Sequence, residues 1–145
     1  MPTMRCISFL FLCCLVCPIG CGGPGVVSDC VAASGVVFVD GELAEGVLIT
    51  LHPIDGGPIV AQGVSGPQGE FVISTHAQGD GASPGSYLLA CTWGTYDVAS
   101  QTYCDCRLGG KYADPQHHPK NDPIAWTLAG DTDNVPKRIE LTSDH

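Results

Sequence analysis

The sequence predicts an all-β domain: a single antiparallel β-sandwich of about seven strands, preceded by a signal peptide. Three observations predict it. Nineteen glycines and eleven prolines fall between short apolar runs, which is the punctuation of strands and turns. Inside those runs apolar residues alternate with a period of two. Nowhere does the 3.6-residue period of an amphipathic helix persist.

The chain opens with MPTMR, where Arg5 is the one charge before residue 20. ISFLFLCCLV, Ile7 to Val16, then has only Ser8 as a polar residue. That run is too short for a spanning helix, which needs about 20 apolar residues. A charged start, a short apolar middle and small residues before a cut describe a secretory leader. Ile19-Gly20-Cys21 resembles the end of a lipobox, in which the cysteine thiol after the cut carries diacylglycerol. Pro18 stands where that pattern usually has leucine. Residues 1–20 are thus expected to be a lipoprotein signal peptide, Cys21 the lipidation site, and residues 21–33 a tether. The β-sandwich domain is expected over 34–142. The expected partner is a membrane, reached through two or three acyl chains, since one holds only marginally. The expected location is the cell envelope of an exporting cell. Plain secretion as a soluble or periplasmic protein is the alternative.

Removing the leader leaves about 125 residues, one domain's worth. All fifteen acidic residues lie beyond it, with five of the six lysines and arginines. A mature chain this acidic repels phosphate backbones, which excludes nucleic acid as a partner.

The strands follow in order. SGVVFV, Ser34 to Val39, is closed by Asp40-Gly41, a pair suited to a tight turn with positive φ. In GVLITLHP, Val47, Ile49 and Leu51 share one face, and Pro53 ends the strand. IVAQGVS and EFVIST come next, the latter with Phe71 and Ile73 on one face. After the loop QGDGASPG, SYLLACTW directs Tyr87, Leu89, Cys91 and Trp93 to one side. Residues 94–123 show no period, so an irregular insertion is expected there, and one of that length usually means function, disorder or a local disulfide-tied structure. IAWTLAG and RIELT supply the last two strands.

Beyond Cys21 stand Cys30, Cys91, Cys104 and Cys106. An even number in an exported chain favours disulfides. A ring closed between Cys104 and Cys106 would be badly strained, so Cys30 and Cys91 are each expected to take one of that pair. Unpaired thiols and a four-thiolate zinc site are the rival readings, the latter against the usual wider spacing of zinc cysteines.

SGVVFVDGELAEGVLITLHP, GPQGEFVIST, GDGASPGSYLLA, KYADP and the closing IEL, taken in this order after a lipobox, resemble a family of small envelope lipoproteins abundant in planctomycete bacteria. These carry a carboxypeptidase regulatory-like domain, one of the transthyretin-like β-sandwiches. The resemblance runs from about Ser34 to Leu141 and implies a fold and an address, the family's activity being mostly unassigned. Transthyretin-like folds include hydroxyisourate hydrolases, which end in Tyr-Arg-Gly-Ser. This chain ends RIELTSDH, so that activity is not carried over.

Chemistry-bearing residues are sparse. His117 and His118, with Asp114 and Asp122 nearby, are weak candidates for a metal, because adjacent side chains diverge on an extended chain. Asp80 lacks the alternating carboxylates of a calcium loop. Trp93, Tyr96, Tyr103 and Trp126 suit either a sugar-stacking surface or core and edge packing. No serine stands in a nucleophile elbow. The expectation is a non-enzymatic structural or interaction module without a cofactor, contacting an envelope protein or glycan through 94–123. A binder of a small ligand, carbohydrate or metal is the alternative.

Overall fold

The computed structural model describes residues 29–104, 107–130 and 134–143. Cys21, the expected leader and Cys106 lie outside the described residues. Among those described there is no α-helix, and ten strands form three sheets.

The first sheet is built on β1 (Ser34–Val39). Asp40 and Gly41, at φ 52° and 84°, turn the chain straight into the two-residue β2 (Glu42–Leu43). Both central residues take positive φ, as a primed two-residue hairpin requires. β5 (Glu70–Val72) pairs with the start of β1 on the same side. β10 (Lys137–Leu141) pairs with its other side in parallel, Gly35 opposite Lys137 and Val39 opposite Leu141. Every other pairing among the described strands is antiparallel. The expectation of a purely antiparallel arrangement is therefore corrected at this one ladder.

The second sheet has the order β4 (Ala61–Val64), β3 (Val47–Pro53), β6 (Gly85–Trp93), β9 (Ala125–Leu128). On β3 the alternation read from the sequence is the alternation of burial; on β6 Ala90 of the opposite face is buried too, and Trp93 is only half-buried. Val47, Ile49 and Leu51 are buried on β3, as are Tyr87, Leu89 and Cys91 on β6. They share one core with Val37, Val39, Phe71, Ile139 and Leu141 of the first sheet. Phe71 and Trp126 meet across it edge to face, with ring centroids 6.2 Å apart. At one corner the sheets join: Gln62 and Ser74 exchange backbone bonds of 3.0 and 2.8 Å.

The fold begins before Ser34. Val31 pairs with Ala82, and buried Ala33 accepts the Ile73 N–H at 2.8 Å. Val31 and Ala33, within the stretch expected as a tether, thus hydrogen-bond to the domain from outside its strands.

Ser65 is a buried hydroxyl with two tasks. It donates to the Ala44 carbonyl at 2.6 Å and accepts the Val47 N–H at 2.9 Å. This ties the β2–β3 turn to the end of β4. Ser65→Ala leaves both backbone groups without that partner, and should cost about 1–3 kcal/mol. Urea denaturation should show a lowered midpoint with an unchanged slope.

Candidate functional site

The insertion is more ordered than its sequence suggests. β7 (Thr95–Asp97) and β8 (Thr102–Cys104) form a hairpin with Tyr96 opposite Tyr103. No period marks it, because all three residues of β7 are exposed. The Asp97 carboxylate closes the turn, accepting from Ser100 Oγ at 2.8 Å and from the Ala99 N–H at 2.9 Å. The Ser100 hydroxyl, then the Ala99 N–H, hold its pKa below the usual carboxylate value.

Two aromatic residues, one on the hairpin and one at the end of β6 before it, bond to the β2–β3 turn. Tyr103 OH donates to the Gly46 carbonyl at 2.6 Å, and Trp93 Nε1 donates to the Glu45 carbonyl at 2.8 Å. The Arg107 guanidinium lies 4.6 Å from the centre of the Trp93 ring. Trp126 is elsewhere, in the core. The four aromatic residues therefore make no common platform. Tyr96 alone of them projects freely, 53% exposed, and Val98 near it is 79% exposed.

The remainder of the insertion completes the edge of β6. β9 pairs only with Gly85 to Leu88. Beyond that, Leu89 N–H donates to the Ile124 carbonyl at 2.9 Å, Cys91 N–H to the Tyr112 carbonyl at 2.8 Å, and the Trp93 carbonyl accepts the Arg107 N–H at 3.1 Å. Three backbone groups of an inner strand are thereby satisfied, as burial demands. Leu108 fixes the segment, its side chain fully buried in the core.

His117 and His118 part company here. His117 is exposed, its Nδ1 2.8 Å from Asp114 Oδ2, a surface pair of small energetic worth. Asp114 also accepts the Gln116 N–H at 2.9 Å. That bond, then the His117 bond, lowers its pKa. His118 turns inward and is 3% exposed. Its Nδ1 accepts the Ile124 N–H at 3.3 Å, and its ring stands edge-on to Tyr112, centroids 5.4 Å apart. Nε2 makes no hydrogen bond of good geometry. Burial lowers the His118 pKa; Asp114, the nearby Tyr112 carbonyl and Asp122 oppose that in part. His52, on β3, is lowered by burial as well, with Asp114 acting against it.

Between this segment and the β1–β10 pair lies a cleft of about 620 Å³, lined among others by Asp40, Tyr112, Lys120, Asp122, Glu140 and Thr142. Two of its carboxylates are engaged. Asp40 accepts from Ser143 Oγ at 2.5 Å and from the Ser143 N–H at 3.1 Å, and Glu140 accepts from Arg138 Nε at 2.7 Å. Lys120, at φ 64°, sits in the short 3-10 turn Pro119–Asn121.

No three groups among the described histidines, cysteines, aspartates and glutamates are placed to share a metal ion. Asp80 shows why for its own loop. Its carboxylate accepts the N–H groups of Thr75, His76 and Ala77 at 2.7, 2.9 and 3.0 Å, chiefly the first of which lowers its pKa. It closes a turn.

No disulfide joins Cys30, Cys91 and Cys104. Cys30 lies near the Tyr87 hydroxyl, whose pKa is raised by burial first and by Cys30 second. Cys104 pairs with Thr95, beyond the far end of β6. Six residues of strand, about 20 Å, separate Tyr87 from Trp93. A bridge needs Cα atoms within about 7 Å, so of the two expected pairings the one joining Cys30 to Cys104 is not made; any bridge through Cys106 lies outside the described residues.

Nothing in the sequence singles out Leu108, Ile124 or His52 as residues of this site. Only Tyr112 had a signal, as the aromatic residue of KYADP. No protein-family model, no curated protein and no solved structure matches this chain.

Proposed function

We propose that the chain is a non-enzymatic, lipid-anchored protein of the cell envelope, a transthyretin-like sandwich of the carboxypeptidase regulatory-like kind that acts as an interaction module. One observation carries the interaction part. The insertion uses Tyr103, Leu108, Tyr112 and His118 to fix itself to the sheets, and leaves Tyr96 and Val98 on a hairpin facing solvent. Rigidly held, exposed apolar and aromatic side chains on a loop are what a contact surface needs. The leader and Cys21 support the address.

A second reading is a binder of a small ligand, carbohydrate or metal. The cleft beside Tyr112 favours it. A raised melting temperature with zinc, calcium or a cell-wall glycan would support that reading.

Protein extracted from membranes without reductant should have a mass that begins at Cys21 and includes two or three acyl chains. In detergent it should run as an assembly larger than a micelle-bound monomer. The double variant Tyr96→Ala, Val98→Asp should run as the monomer, its melting temperature shifted by no more than about 3 °C. An unmodified chain overturns the anchor. An unchanged assembly in the double variant overturns the hairpin as the contact.

A further inference from the structure

His118 stands where the insertion locks onto the core. The two residues it touches, Ile124 and Tyr112, are those whose carbonyls accept the N–H groups of Leu89 and Cys91. The imidazole thus holds both points at which residues 107–124 complete the edge of β6.

Its hydrogen bond fixes its charge state. Nδ1 accepts the Ile124 N–H, and an imidazole nitrogen accepts only when it carries no proton. The neutral ring therefore has its proton on Nε2. An imidazolium carries N–H groups on both nitrogens. Protonation would turn the Ile124 bond into donor facing donor. It would also place a charge at a side chain 3% exposed whose Nε2 makes no good hydrogen bond.

We propose that His118 is an acid-sensitive latch: neutral, it holds residues 107–124 against β6, and protonated, it releases them. Release uncovers the backbone of Leu89, Cys91 and Trp93, a strand edge able to pair with another chain. The inference rests on the fold alone and is independent of the envelope reading.

The surrounding groups bear on the sign. From the same segment Asp114, Asp122 and the Tyr112 carbonyl favour the charged ring, but burial outweighs them. His117 beside it is held by Asp114, and Lys120 follows in the turn. From β3, His52 responds to the same Asp114. From the far side, Thr142 bonds the Tyr112 hydroxyl, and Asp40 and Glu140 line the cleft that Tyr112 shares. The folded pKa of His118 lies below its ordinary 6.5. The latch is therefore intact above pH 6.5 and is lost as pH falls from there through the folded value. Asp80, Asp97 and Asp114, whose pKa values lie below 3.8, release their contacts only at more acid pH. The loss that begins below pH 6.5 at His118 therefore precedes theirs.

Hydrogen exchange on the full chain tests this. From pH 7.5 to 5.0, after correction for intrinsic rates, protection at the Leu89, Cys91 and Ile124 amides should fall about tenfold for each unit by which the His118 pKa is depressed and traversed. Val37 and Ile139 in the other sheet should hold theirs. In His118→Gln the amide oxygen can accept the Ile124 N–H without titrating, and the pH response should vanish. In His52→Gln it should persist. Unchanged protection in the wild type at pH 5.0, or a response that disappears with His52→Gln instead, overturns the latch. Should His118→Gln fail to fold, the His118 ring-proton titration by NMR decides: a pKa at or above 6.5 overturns the proposal, and one below it together with the amide response in the wild type supports it.

Discussion

Phe71→Ala should lower the stability of the domain by about 3–5 kcal/mol. Phe71 leads the fully buried side chains in volume and is 2% exposed. It stands on β5, beneath Gly35 of β1, and presents its ring to Trp126 of the second sheet at an interplanar angle of 85°. It is therefore one of the side chains through which the two sheets meet. Its loss opens a cavity that the short, paired β5 cannot collapse to fill, and removes an edge-to-face aromatic contact as well. Against a typical total of about 5–15 kcal/mol, that is a third of the stability or more. Urea denaturation measures it. Phe71→Leu should recover part of the loss. A cost under about 1 kcal/mol for the alanine variant would show that Phe71 does not join the sheets in this way.

Gly35→Ala should be among the most damaging single methyl additions in the described residues. A Cβ at this position would lie 2.1 Å from the Lys137 carbonyl oxygen and 2.6 Å from Phe71 Cζ. A side chain rotates away from such a clash; a carbonyl in a ladder does not. The β1–β10 pair would have to part at its first register position, Gly35 opposite Lys137. Ordinary overpacking costs about 1–3 kcal/mol, and a clash with backbone falls at or above the top of that range. The double variant Gly35→Ala, Phe71→Leu separates the two obstacles. Relief of the ring contact should recover only part of the loss, since the Lys137 carbonyl is untouched. Full recovery would make the aromatic ring the obstacle and leave the parallel ladder able to adjust.

Both predictions depend on contacts of different legibility. That Phe71 and Ile73 share a buried face follows from period two, as does the burial of Val47, Ile49 and Leu51 on β3. That Asp40-Gly41 turns with positive φ follows from local sterics. The pairing of Gly35 with Lys137 does not follow from either, because a parallel ladder between strands about a hundred residues apart has no local signature. The hairpin of β7 and β8 was hidden for another reason. Exposed on its outer face and held by Tyr103, and by Trp93 at the end of β6 before it, to a turn some fifty residues earlier, it has no buried face to print a period.

The insertion shows the division most plainly. From the sequence alone it follows that the side chains of His117 and His118 diverge on an extended chain, and that strand and turn alternate on either side of residues 94–123. Which histidine goes inward was decided by tertiary structure. The unfilled edge of β6 beyond Leu88 required backbone partners, Tyr112 and Ile124 supplied them, and the ring between these two was carried out of water. The same selection set Cys30 and Cys104 at opposite ends of one strand. Cysteine count bears on which pairs are allowed, but only the path of the chain sets the distance between them.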